Sequence, residues 1–166
     1  MKSAAFVATA FVVAAPAAAQ TADGDVAALV PFIVAPYAHA LAALAGWGLL
    51  MLVLTVLSVV GKPRARTPGG LPVRDYSDPY YRRDRAFRNA IEATGPFTAV
   101  TVAAILVGAS SFWVNLLASV FLVARIGAAA VHIGTEVERL RSAFWSVGFL
   151  CVLLLGILAF IGAFGL

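Results

Sequence analysis

The sequence predicts an all-α integral membrane protein, a four-helix bundle behind an N-terminal signal peptide, and three observations lead there. Of its 166 residues, 62% are hydrophobic and 12% charged, against roughly 45–50% and about 25% in an average soluble domain. A chain of this size cannot hide so much apolar surface, so its solvent is lipid. The apolar residues also fall into four runs, each long enough for the ~20 residues that a spanning helix needs. Finally, eight of the twelve basic residues lie between Lys62 and Arg88. A net charge of +4 would otherwise invite nucleic-acid binding, but a single basic loop beside an apolar run reads as membrane topology, and no nucleic-acid partner is expected.

The first element is the signal peptide, residues 1–19. Lys2 supplies a positive start, Ala4 to Ala15 a short apolar core, and Ala17-Ala18-Ala19 before Gln20 a small-residue cleavage site. The core is too short to span a bilayer; the alternative is an uncleaved interfacial segment. Residues 20–35 then form an external tail. The first spanning helix is expected over about 36–60, opened by Pro36, whose missing N–H costs nothing in a first turn, and stopped by Gly61-Lys62-Pro63. Residues 61–84 form a loop rich in Pro, Gly, Arg and Asp, with Tyr76, Tyr80 and Tyr81 placed for an aromatic belt. The second helix, about 84–107, takes Asp84 as its cap and should kink at Pro96. Gly108 to Ser111 make a tight turn into the third helix, about 112–133. A short link, Gly134 to Leu140, leads to the fourth, about 141–164.

Cations near helix ends set the orientation. The 61–84 segment and its flanks hold eight and the link before the fourth helix holds Arg139 and Arg141, whereas the opposite side has only Asp23 and Asp25 after cleavage. The positive-inside rule puts both charged segments in the cytoplasm, and signal cleavage puts the mature N-terminus outside. The expected location is a bacterial inner membrane with both mature termini periplasmic.

An ionised side chain in hydrocarbon costs about 2.5–3.5 kcal/mol on insertion scales, so Glu92 and Arg125 need a reason. Arg85, Arg88, Asn89 and Glu92 share one helix face. Glu92 lies roughly 10 Å inward of Arg85, and Arg125 about 13 Å inward of Gly134. The matched depths predict a Glu92–Arg125 pair, acting as a structural register, as a ligand contact, or as both. His132 shares the Arg125 face near the charged end. His39 and His132 have no partner ligands at metal-binding spacing, no phosphate loop or hydrolase nucleophile motif is present, and the lone Cys151 sits in an apolar run as a packing residue.

The segment Arg85-Ala86-Phe87-Arg88-Asn89-Ala90-Ile91-Glu92, followed by Gly95-Pro96-Phe97, resembles the R-x-x-x-N-x-x-E signature of the MAPEG family, the membrane-associated proteins of eicosanoid and glutathione metabolism. Ala124-Arg125-Ile126, with Arg141-Ser142 sixteen residues after Arg125, extends the likeness, which runs from about Pro36 to the end. The resemblance implies a homotrimer with glutathione held between subunits toward the cytoplasmic side. It implies that Arg85, Asn89, Glu92, Arg125 and His132 bind the tripeptide and that Arg141 stabilises its thiolate. The chemistry is apt: arginines match carboxylates through paired charge-assisted bonds, a glutamate matches the amine, and a cation beside the sulfur favours the thiolate. The chain departs from the family in having Ala128 and His132 where active members commonly have Tyr or His and then Tyr.

Two functions follow as expectations. One is a glutathione-dependent transferase or peroxidase acting on lipophilic electrophiles. The other is a non-catalytic accessory or structural subunit of a larger membrane complex, with Tyr80, Arg82 and Arg83 gripping a partner or anionic lipid. A transporter is the weakest reading, since inverted repeats are not evident.

Overall fold

The computed structural model describes residues 34–165; the expected signal peptide and nearly all of the tail lie outside them. A 3-10 turn at Ala35–Tyr37 leads into α1, Ala38–Val59. Then come α2, Pro79–Leu106, α3, Ser111–Gly134, and α4, Glu138–Ala163. Each is long and apolar enough to cross a membrane, and among the described residues these are the four that are. The chain is a multi-pass membrane protein.

Each pair of helices other than α1 and α4 packs along a shared face, so those two lie on a diagonal. The centre is an aromatic cluster. Phe97 of α2 stacks on Phe121 of α3 at 3.8 Å between ring centroids, and the Trp47 indole of α1 meets both edge-on. Around it the contacts are made by small residues, Ala40, Ala43, Ala90, Ala104 and Ala118, which let the helices approach closely where lipid supplies no hydrophobic drive for association. The outward faces carry Leu49, Leu52, Val56, Phe112, Val123 and Phe160, all exposed. In water such a surface would aggregate; in a bilayer it is the solvated face.

The start of α1 is pinned across the bundle by Asn115, whose Oδ1 accepts from the Ala40 N–H at 2.9 Å and whose Nδ2 donates to the Pro36 carbonyl at 2.7 Å. The start of α2 corrects the expected boundary. It begins at Pro79, five residues before Asp84, because Asp78 is the cap: its Oδ1 accepts from the Tyr80 N–H and its Oδ2 from the Arg64 N–H, each at 2.9 Å. Asp84 instead lies inside the helix and accepts from Arg88 Nε at 2.8 Å. α2 is continuous through Pro96. The link before α4 shrinks to residues 135–137, because α4 starts three residues before the expected position.

The helix ends at the charged side are closed by two consecutive arginines of α2. Arg83 Nη2 donates to the Val60 carbonyl at the end of α1 (2.8 Å), and Arg82 Nε donates to the Ile133 carbonyl near the end of α3 (3.0 Å). Arg82 Nη1 also donates to the Tyr76 carbonyl at 2.7 Å and reaches Glu136 at 3.5 Å. The last carbonyls of a helix have no intrahelical donors, and cationic side chains satisfy them with favourable dipole interaction. Arg82 and Arg83, expected as a grip for a partner, are therefore engaged within the chain itself.

The Asp78 carboxyl is held below the ordinary carboxylate range, chiefly by the Arg64 N–H, against desolvation, and Asp75 is lowered by the Ser77 hydroxyl and N–H. A depressed folded pKa contributes stability above the unfolded value that is lost as pH falls through the folded one. The protection factor of the Arg64 and Tyr80 amides, the slowing of exchange relative to the unstructured rate at the same pH, should therefore be constant near neutrality and fall below pH ~4. Asp78→Ala should show the low protection already at neutral pH and lose about 1 kcal/mol of stability, whereas unchanged protection at both amides would refute the capping role.

Candidate functional site

A groove of about 260 Å³ opens between α2, α3 and α4, lined by Asn89, Glu92, Ala93 and Pro96 of α2, Phe121 and Arg125 of α3, and Trp145, Gly148, Phe149 and Val152 of α4. Its chemistry is divided: three polar side chains at one end and an aromatic and aliphatic wall elsewhere. The i, i+3, i+4 and i+7 spacing of α2 delivers Arg85, Arg88, Asn89 and Glu92 to this side of the helix.

Arg125 is the buried element, 6% exposed. Its Nη2 donates to the Asn89 backbone carbonyl at 2.7 Å and approaches Asn89 Oδ1 at 3.5 Å. The guanidinium lies 5.6 Å from the Trp47 ring centre and 5.8 Å from that of Phe121, where ring quadrupoles attract a cation. A glycine makes room for its stem, since a Cβ on Gly148 would sit 3.1 Å from Arg125 Cδ. The expected Glu92–Arg125 ion pair is not formed. Arg125 turns inward to Asn89 and the aromatic rings, while Glu92, with a side chain 64% exposed, pairs with Arg85 at 3.7 Å. Both line the groove, so the matched depth was right and the direct contact was not.

His132 and Arg141 belong to a second cluster at the charged end. The His132 ring is 4% exposed and stacks on Tyr76 with centroids 6.0 Å apart. Its Nε2 is buried with no hydrogen-bond partner. A void of about 10 Å³ lined by His132, Ala128, Arg125, Asn89 and Trp47 joins this cluster to the buried guanidinium, room for about one water. The Arg141 guanidinium lies 4.7 Å from the Tyr76 ring centre and 3.8 Å from Glu138. Neither His132 nor Arg141 lines the groove. Tyr76 and Tyr81, edge-to-face at 5.1 Å, also border a cavity of about 330 Å³ with Arg74, Arg85 and Arg88. Arg85 thus touches both regions, through Glu92 on one side and this basic cavity on the other.

A model of the MAPEG family matches residues 37–161. The chain belongs to the MAPEG family. Comparison with curated proteins and with solved structures gives no match. In this MAPEG protein, sequence reasoning missed Trp145 and Tyr76. Trp145 and Gly148 stand four and seven residues after Arg141, so helical periodicity could have placed them beside it. Tyr76 comes from a loop, and no periodicity announces it. No three His, Cys, Asp or Glu side chains gather as metal ligands among the described residues.

If Arg125 is kept for a ligand and not for folding, an apolar side chain of similar length should be tolerated, because replacing a buried charge by apolar packing is often neutral or stabilising. Arg125→Met should keep its thermal midpoint in detergent within a few degrees. Arg125→Ala, which empties the space under Gly148 and the aromatic faces, should lose about 2–4 kcal/mol. A Met variant as unstable as the Ala variant would make Arg125 structural.

Proposed function

We propose that this MAPEG protein is a glutathione-dependent transferase or peroxidase acting on lipophilic electrophiles. One observation carries the reading: a single groove joins Asn89, Glu92 and Arg125 to an apolar wall of Phe121, Trp145, Phe149 and Val152. Glutathione brings two carboxylates, an amine and a thiol. Arg85 and Arg125 suit the carboxylates, Glu92 the amine and Asn89 either, through charge-assisted bonds. The exposed Arg85–Glu92 pair is weak and exchanges readily for ligand contacts. His132 supports the site from within. Arg141 stabilises the thiolate. The thiol proton leaves to water. With a carbon electrophile entering from lipid, the sulfur lone pair forms a C–S bond as the bond to the leaving group breaks and takes its electron pair away. With a hydroperoxide, the sulfur attacks the outer oxygen, an S–O bond forms as the O–O bond breaks, the alkoxide takes a proton from water, and a second glutathione displaces the hydroxyl to give the disulfide and water.

A second copy completes the site. Glu92 is exposed on a membrane-spanning helix, and facing lipid it would cost about 2.5–3.5 kcal/mol. A neighbouring subunit covering the groove, in the homotrimer that the family resemblance implies, removes that cost. The topology proposed is a bacterial inner membrane with loop 61–84 cytoplasmic and both mature ends periplasmic. Cys151 is the sole cysteine and is buried, so a thiol introduced as Gly69→Cys reports the sidedness of the loop without background.

The second reading, a non-catalytic subunit of a larger membrane complex, is favoured by one observation: Arg141 and His132 do not line the groove. Calorimetry on the purified oligomer separates the two. Glutathione should bind with micromolar to millimolar affinity, Glu92→Gln should weaken it about 10-fold or more, and Arg141→Ala should lower conjugation of a model electrophile at least 10-fold with little change in binding. An oligomer that binds no glutathione and co-purifies with a fixed larger partner supports the accessory subunit instead.

A further inference from the structure

Tyr76 is a loop side chain that packs directly on the second cluster, and its surroundings are built. Arg82 holds the Tyr76 carbonyl at 2.7 Å and the Ile133 carbonyl at 3.0 Å with the same guanidinium, so the loop is tied to the turn of α3 that carries His132. The ring then covers buried His132, takes Tyr81 edge-to-face, and lies under the guanidinium of Arg141 at 4.7 Å. Arg141 has 18% of its side chain exposed, and its acid partner Glu138 is 81% exposed at 3.8 Å. Such a solvated contact constrains little. The tyrosine ring is the firm surface beneath the guanidinium, and the packing beneath it fixes where that surface stands.

We infer that Tyr76 is a positioning residue for Arg141: the loop supplies an aromatic platform that holds this guanidinium in place over the covered histidine. The inference rests on the glutathione reading only for the use made of Arg141. The contact itself belongs to the subunit. A guanidinium held on a ring face keeps its donors directed, and a cation fixed in one place stabilises a thiolate better than one sampling many rotamers. Ring chemistry and ring volume predict different variants. Tyr76→Phe keeps the platform, Tyr76→Leu keeps apolar bulk without the π-face, and Tyr76→Ala removes both.

The test uses the full-length protein in detergent. First, modification of Arg141 by phenylglyoxal is followed by mass spectrometry without ligand. Wild type and Tyr76→Phe should react slowly and alike, and Tyr76→Leu and Tyr76→Ala roughly 3- to 10-fold faster. Equal rates in all four overturn the inference. Second, the absorbance of bound glutathione thiolate is titrated with pH. The other groups around the platform are Arg74 from the loop, Tyr81 and Arg85 from α2, His132 from α3 and Glu138 from α4, and all four proteins share them. The thiolate should form at higher pH in the Leu and Ala variants and unchanged in Phe. Faster labelling without that displacement leaves Tyr76 a packing residue and refutes the positioning role. If wild type binds no glutathione while the labelling pattern holds, the glutathione reading fails and the Tyr76 platform for Arg141 stands.

Discussion

A guanidinium fixed inside an apolar bundle is the constraint around which these four helices are arranged. Arg125 cannot lose its proton, and burying the charge without partners would cost far more than any single contact returns. Each neighbouring helix therefore makes a concession. α2 turns the Asn89 carbonyl toward it, α1 and α3 present the Trp47 and Phe121 faces, and α4 gives up a side chain at Gly148. None of these features is needed to bury hydrocarbon, and a leucine at 125 would do that better. A protein that keeps the charge pays for it in all four helices, which is the pattern expected when stability is traded for a site.

The charged end solves a related problem by different means. Helices that leave the membrane expose carbonyls with no donors, and here the donors come from side chains of a neighbouring helix. Adjacent arginines on α2 close α1 and α3. Because Arg82 also holds the backbone of Tyr76, the device that finishes α3 fixes the loop over His132. Helix termination and site assembly are thus one set of hydrogen bonds, and a substitution at Arg82 acts on both.

Much of this was legible in the sequence, for identifiable reasons. The four spans follow from apolar length, a property that lipid enforces strictly because backbone polar groups must pair within the segment. The α2 face, Arg85 to Glu92, follows from helical periodicity, and the depth of Arg125 from the rise per residue. The boundary of α2 was misplaced because Asp78 and Asp84 are both plausible caps; Pro79 at the first helical position, the Tyr80 N–H and the Arg64 N–H fourteen residues upstream together favour the first. The Glu92–Arg125 pair was misjudged for a similar reason. Depth is readable from spacing, but the direction in which a long side chain turns depends on what stands opposite. Asn89 and Trp47 outcompete Glu92 for the guanidinium, and Arg85 on the same helix takes the carboxylate. The place of Tyr76 over His132 was beyond reach, because a loop residue is positioned by tertiary contacts, here the Arg82 bond to its carbonyl and the His132 and Tyr81 rings, and not by any repeat.

The separation of the groove from the Arg141 cluster follows from the same geometry. Glu92 and Arg125 sit well inside the apolar length of their helices, whereas Arg141 stands in the first turn of α4 and Tyr76 in the loop before α2. Arg85 is the link: its guanidinium faces the basic cavity beside Tyr76 and also pairs with Glu92 at the groove. Under the proposed glutathione function, a tripeptide charged at both ends with its thiol between them would lie along this line and displace Glu92 from Arg85. The exposed carboxylate on the apolar part of α2 is the least economical feature of the chain, and the proposed function accounts for it by giving it a counter-ion from the ligand and shelter from a second copy.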